Sequence, residues 1–140
     1  MFKQWLMNRV LKQRRKKMRV SPDYDVETYL RKIEEYFDPA KASDRKMTVV
    51  YEFHDSGKND GSWTVAIANG KCALKKGDTE QCDSRFYMTA ETYRRILMGL
   101  MEITKLPYST GAVRFFGNTL AHQELNHYLN IPKGAGVAAL

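Results

Sequence analysis

"GSWTVAIANGKCALKKG", residues 61–77, alternates apolar and polar side chains on both sides of a turn. Trp63, Val65 and Ile67 share one face of a strand, and Asn69-Gly70 is the strongest short-range hairpin signal. "KCAL" is then the returning strand, ended by Gly77-Asp78. Upstream, "MTVVYEF" (47–53) places Met47, Val49, Tyr51 and Phe53 on one face and reaches the hairpin through the polar loop "GKNDG" (57–61). Downstream, "CDSRFYM" (82–88) is a fourth strand with Phe86 and Met88 together. Consecutive strands linked by turns predict an antiparallel meander.

Helices flank the strands. In "SPDYDVETYLRKIEEYFDP" (21–39), Val26, Tyr29, Leu30, Ile33 and Phe37 form one stripe, Ser21 or Asp25 caps the start, and Pro39 stops the helix. Thr89 caps a long helix, "AETYRRILMGLMEIT" (90–104), whose stripe is Tyr93, Ile96, Leu97, Leu100 and Met101, widened by Met98 and Ile103. "GAVRFFG" (111–117) is a short strand fenced by glycines. Asn118 caps a last helix in which Ala121, Leu125, Tyr128 and Leu129 share a face. The ending "IPKGAGVAAL" (131–140) is apolar and glycine-rich, and is expected to lack fixed structure unless something accepts it. Helix, four strands, helix, strand, helix make an α+β sandwich, the sheet covered on one face.

The net charge of +7 is unevenly distributed. Residues 1–20 hold eight Lys and Arg and no acid, so the remaining 15 basic and 16 acidic residues leave the body at −1. This sets off an arm (1–20) from a domain (21–131) and a tail (132–140). In the arm, Phe2, Trp5, Leu6 and Val10 fall at helical spacing, and Lys12, Arg14, Arg15, Lys16, Lys17 and Arg19 follow as a basic cluster. The charges come after the apolar residues, the reverse of a secretory signal. A mitochondrial presequence stays open, although the segment lacks Ser. Nothing approaches the length of apolar chain that spans a bilayer. Cys72 and Cys82 lack metal or redox spacing and read as half-buried thiols in a reducing compartment.

No catalytic or metal-binding constellation emerges, and no cofactor is implied. His122 and His127 stand five residues apart, about 140° round a helix, where the zinc-protease pattern needs four. They read as solvent-facing or cap-adjacent histidines. His54, Asp55 and Ser56 are consecutive at a turn and cannot align as a triad. Asp78, Glu80 and Asp83 fit a solvated loop, and "GKNDGS" lacks P-loop spacing.

Three stretches carry a resemblance: "GSWTVAIANGKCALKKG", "FYMTAETYRRILMGLM" with Gly99 inside its helix, and "GAVRFFGNTLAHQEL". In this order, across roughly 24–130, the chain resembles the sterol-carrier-protein (type two) lipid-binding domains. The resemblance implies a five-stranded, mainly antiparallel sheet with helices over one face and an apolar tunnel between the layers. It implies a non-catalytic partner of fatty acyl chains, sterols, phospholipids or polyprenyl quinones. The candidate lining is Val65, Ile67, Phe86, Ile96, Leu97, Leu100, Met101, Phe115 and Leu125, which is also the expected core. Asn118 replaces the more usual Asp, a change a helix cap tolerates. Ala138-Ala139-Leu140 replaces Ser-Lys-Leu, against a peroxisomal address.

Beside a lipid-binding body, the arm reads as a membrane-docking element. Phe2, Trp5 and Leu6 insert, and the basic cluster meets anionic lipid in a cytoplasmic, peripherally associated protein. A nucleic-acid role fits poorly, because the body is neutral and its aromatics sit at core positions; a partner-protein docking helix and a plain solvated extension are the other readings of the arm. Alternatives are an accessory scaffold in quinone or other isoprenoid-lipid synthesis, and a ligand-free module that forms a homodimer.

Overall fold

The structure, a computed structural model, describes residues 19–101 and 111–140. Helix α1 (Val26–Tyr36) starts at Asp25, whose carboxylate accepts the Glu27 N–H, so Asp25 and not Ser21 is the cap. Its buried face is Val26, Leu30 and Ile33. Pro39 does more than stop it: capped by Asp38, it opens a single-turn helix, α2 (Pro39–Ala42).

The strands are β1 (Met47–Phe53), β2 (Gly61–Ala68), β3 (Lys71–Lys76), β4 (Ser84–Met88) and β5 (Arg114–Gly117), ordered β3-β2-β1-β4-β5 in one sheet. Met47, Val49 and Tyr51 stand opposite Ile67, Val65 and Trp63, which gathers the apolar faces read from the alternation. β5 lies antiparallel to β4, with Phe115 opposite Phe86. The meander ends at β3, because β4 runs parallel to β1, with Val49 opposite Ser84 and Phe53 opposite Met88. To get there, residues 77–83 cross the outer face of the sheet. Thr64 and Arg85, the two neighbours of Val50 in the sheet, both bond this crossing, at the Gly77 and Thr79 carbonyls. The Asp83 carboxylate accepts the Thr48 N–H at 2.7 Å. Val50 is therefore fully buried on the outer face, apart from the main core.

Edge strand β3 carries Lys71, Lys75 and Lys76, charges that discourage pairing with another sheet. Helix α3 (Ala90–Leu97), capped by Thr89, and helix α4 (Ala121–His127) complete the elements. Asn118 bonds the Leu120 N–H just ahead of α4, and Tyr128 and Leu129 lie beyond the helix end. Buried Asn59, in the loop read only as a turn, accepts the Val26 N–H and donates to the Tyr24 carbonyl, which fixes the start of α1.

The helix expected over 90–104 is eight residues long. Gly99, at φ +72°, sits just past its end, where its N–H bonds the Ile96 carbonyl and the Leu100 N–H bonds the Arg95 carbonyl. This paired geometry closes helices with a left-handed residue. Residues 102–104 lie outside the described residues.

Candidate functional site

The inner faces of β1, β2 and β4 meet α1, α3 and α4 in one apolar cluster. Val65, Ile67, Phe86, Ile96, Leu97 and Leu125 are all buried within it. Phe115 is half-buried against Phe86, with ring centroids 6.3 Å apart. Met101 packs at the border of the cluster, whereas Leu100 is 44% exposed. The turn at Gly99 takes Leu100 off the stripe that helical spacing had given it. Of the candidate docking residues, Phe2, Trp5, Leu6, Lys12, Arg14, Arg15, Lys16 and Lys17 lie outside the described residues; Arg19 is described and exposed.

An aromatic stack forms the centre. Tyr51 stacks on Phe86 at 5.6 Å and approaches Tyr93 at 6.4 Å, while Phe53 meets Tyr93 at 5.4 Å. Against this stack sits His122. Only 5% exposed, it is not solvent-facing; it is cap-adjacent, the second residue of α4. Its Nδ1 lies 2.9 Å from the Tyr51 hydroxyl and its Nε2 lies 3.3 Å from Asn126 Nδ2. Burial pushes its pKa down to about 4, so the ring is neutral near pH 7. The signal was present, since His122, Leu125 and Leu129 follow the i, i+3, i+7 spacing of a buried stripe. His127 is exposed, as read.

Residues 131–140 meet the condition set for them: the protein's own core accepts them. Val137 and Leu140 are buried in the central cluster. The Ala138 N–H donates to the Leu97 carbonyl at 2.7 Å, capping α3. The Leu140 N–H donates to Asn126 Oδ1 at 2.8 Å, and the Tyr93 hydroxyl donates to the Leu140 backbone oxygen at 3.0 Å. Beside this segment lies a cleft of about 420 Å³. Ile96, Gly99 and Met101 form one wall, His122, Gln123 and Asn126 the second, and Ala138 and Ala139 the third. Such a volume and mixed lining suit a small-molecule site. A second hollow, of about 440 Å³, lies on the outer face between Glu52, His54, Tyr87, Arg114 and Phe116, away from the core.

Among the described residues, no reactive group is assembled at the cleft. Burial raises the Tyr51 and Tyr93 hydroxyls above the usual phenol range, so neither supplies a phenolate. Both cysteines are free and half-buried, and burial pushes Cys72 up to about 12. Among the described residues, no group of three or more His, Cys, Asp or Glu is placed to hold a metal ion. No helix among them is long and apolar enough to cross a membrane.

No protein-family model matches the sequence, and no curated protein matches it. Solved structures do match. A variant of the sec-alkylsulfatase Pisa1, an enzyme from Pseudomonas sp., superposes with TM-score 0.69 at 17% identity, over 78% of this chain and 17% of that one. This chain thus spans about a sixth of that enzyme. Sterol carrier protein domain 2 of Helicoverpa armigera gives TM-score 0.56 at 17% identity, over 79% of this chain and 93% of that one. The ubiquinone synthesis protein UbiJ-SCP2 gives 0.50 at 14%, over 71% and 80% respectively. A mixed five-stranded sheet with its helices gathered on one inner face, matched along nearly the whole of a sterol carrier domain, gives this chain its place: it has the sterol-carrier-protein type-two fold.

Proposed function

We propose that this protein is a non-catalytic lipid carrier that holds an acyl, sterol or isoprenoid chain between sheet and helices. The cleft at the end of α3 carries this reading, because the buried Ile96 and His122 line it and Ile96 belongs to the apolar cluster between sheet and helices. Each methylene moved from water into such an interior contributes about 0.8 kcal/mol, so a chain of ten supplies about 8 kcal/mol without any bond being made. Ile96 and Met101 would meet the chain first, and Leu97, Leu125, Phe86 and the β2 residues would line its inner path. The basic arm would hold the domain at anionic membrane while cargo is exchanged, as a peripheral protein on the cytoplasmic side.

The test is native mass spectrometry of the purified protein together with titration by a fluorescent fatty acid. Co-purified lipid or saturable binding is expected. Bare protein that ignores the probe would refute the carrier reading.

One structural neighbour favours a second reading. UbiJ-SCP2 is described as a ubiquinone synthesis protein. On that analogy, this chain would present isoprenoid intermediates to separate enzymes. Retention of a bound prenyl compound together with membrane enzymes would support it over free transfer.

A further inference from the structure

On the lipid-carrier reading above, we infer that residues 137–140 are the resident occupant of the lipid site, and that the guest displacing them is a single-chain amphiphile whose head oxygen takes over the Tyr93 hydroxyl. Leu140 is fully buried in the cluster that also holds Ile96, Leu97 and Leu125, and Val137 joins it there. A side chain supplied by an irregular segment thus fills the space through which an apolar tunnel between the layers would run. Ala138 and Ala139 of the same segment wall the cleft, so withdrawal of the segment merges the cleft with the Leu140 seat.

The attachment is local. The segment pairs with no strand, and it is held by the Ala138 bond to Leu97 and by the Asn126 and Tyr93 bonds to Leu140. It follows Gly134 and Gly136, the latter at φ +77° with open space around it, so the chain can swing there without moving the sheet. Gly99 makes the docking possible, since a Cβ at that position would stand 2.9 Å from the Ala138 Cβ.

The seat states what a replacement must offer. Once Leu140 leaves, a largely apolar seat holds two groups without their partners: the Tyr93 hydroxyl has lost its acceptor and Asn126 Oδ1 has lost its donor. An unpaired buried donor is costly, so a guest with a head oxygen is favoured over a bare hydrocarbon. A fatty chain also buries more apolar groups than the two aliphatic side chains it displaces. Because the occupant is tethered, it lowers the apparent affinity of every guest by the fraction of time that the seat is closed.

The test compares the full chain with a variant carrying Val137→Ser and Leu140→Ser, titrated with cis-parinaric acid, which has a carboxyl head, and with diphenylhexatriene, which has none. The variant is expected to bind parinaric acid about tenfold more tightly. Adding Tyr93→Phe in the same background is expected to weaken parinaric acid about tenfold and leave diphenylhexatriene unchanged. In the unmodified protein, the Ala138 and Leu140 amides exchange slowly and lose that protection when parinaric acid saturates it. This last readout decides the matter if the variant does not fold. Binding with both amides still protected, or with equal affinity in protein and folded variant, overturns the displacement and leaves the carrier reading standing. A Tyr93→Phe loss shared equally by both probes overturns the head-group assignment. Failure of both probes to bind any form overturns both readings.

Discussion

The Tyr51 hydroxyl and His122 Nδ1 meet at 2.9 Å in a fully buried site, tying the central strand to the last helix. The neighbouring carboxamide fixes the direction of this bond. Asn126 Oδ1 accepts the Leu140 N–H, and its Nδ2 is therefore the donor facing His122 Nε2. With Nε2 accepting, Nδ1 carries the proton and donates to Tyr51.

A pH dependence of stability follows. Burial lowers the folded-state pKa of His122 from 6.5 to about 4. Between those values the unfolded chain binds a proton that the folded protein refuses. The contribution is complete above pH 6.5 and is lost as pH falls toward 4, a change of roughly 3 kcal/mol. Urea denaturation from pH 7 to pH 4.5 should show this slope, and His122→Gln should flatten it. Parallel profiles for the two proteins would rule out His122 as the titrating group.

Tyr51→Phe separates the hydrogen bond from the stack. The ring still packs on Phe86, but the His122 N–H loses its acceptor in a dry site. A loss of about 1–3 kcal/mol is expected at pH 7. The opposing term is the imidazole's own solvation, so a neutral outcome would mean that water reaches the ring. Denaturation midpoints at constant m-value check this.

How much of this was legible beforehand depends on what periodicity records. Alternation placed Met47, Val49, Tyr51, Phe53, Trp63, Val65, Ile67, Phe86 and Met88 on the inner face, where all are buried. It does not record which strands pair, because a parallel neighbour asks for the same pattern as an antiparallel one. The parallel partnership of β4 with β1 is therefore invisible to alternation alone. Helical spacing also continues through Gly99 as though nothing stopped there. The cue was the glycine itself, standing just after the last residue of the buried stripe. For His122, the separation from His127 points away from a metal site, and only the spacing to Leu125 and Leu129 marks its place in the buried stripe. For the last ten residues the ambiguity was physical: Val137 and Leu140 suit a packed segment, and the glycines suit a free one. Only the seat that Leu140 takes beside Asn126 and Tyr93 decides between them.

Two glycines with similar backbone angles should respond very differently to alanine. Gly117 has φ +84°, and a Cβ there would lie 2.2 Å from the Asp83 carbonyl oxygen, a backbone atom within the β4–β5 edge. Gly136 has φ +77° and nothing within 4 Å. Gly136→Ala should cost about 1 kcal/mol, the left-handed penalty alone. Gly117→Ala should cost more than about 3 kcal/mol, because the strand pair must shift to relieve the overlap. Equal midpoints in urea would show that β5 yields freely.

A truncation that removes the arm should stop ahead of Val20. Val20 is 2% exposed and its carbonyl accepts Arg94 Nε at 2.8 Å, so the chain is already part of the folded body there. A truncation of residues 1–18 keeps this anchor and removes Phe2, Trp5, Leu6 and the five cations from Lys12 to Lys17. At an anionic surface those five contribute about 1 kcal/mol each, on the order of a thousandfold in affinity if all engage. The full chain should float with phosphatidylserine vesicles at low salt and sink at high salt, where the charges are screened. The truncated protein should sink in both, with a melting temperature within a few degrees of the original. Equal flotation would move the membrane contact onto the folded body. Loss of flotation with a collapsed melting transition would show that the first 18 residues stabilise the domain, and the change in binding would then not report on docking.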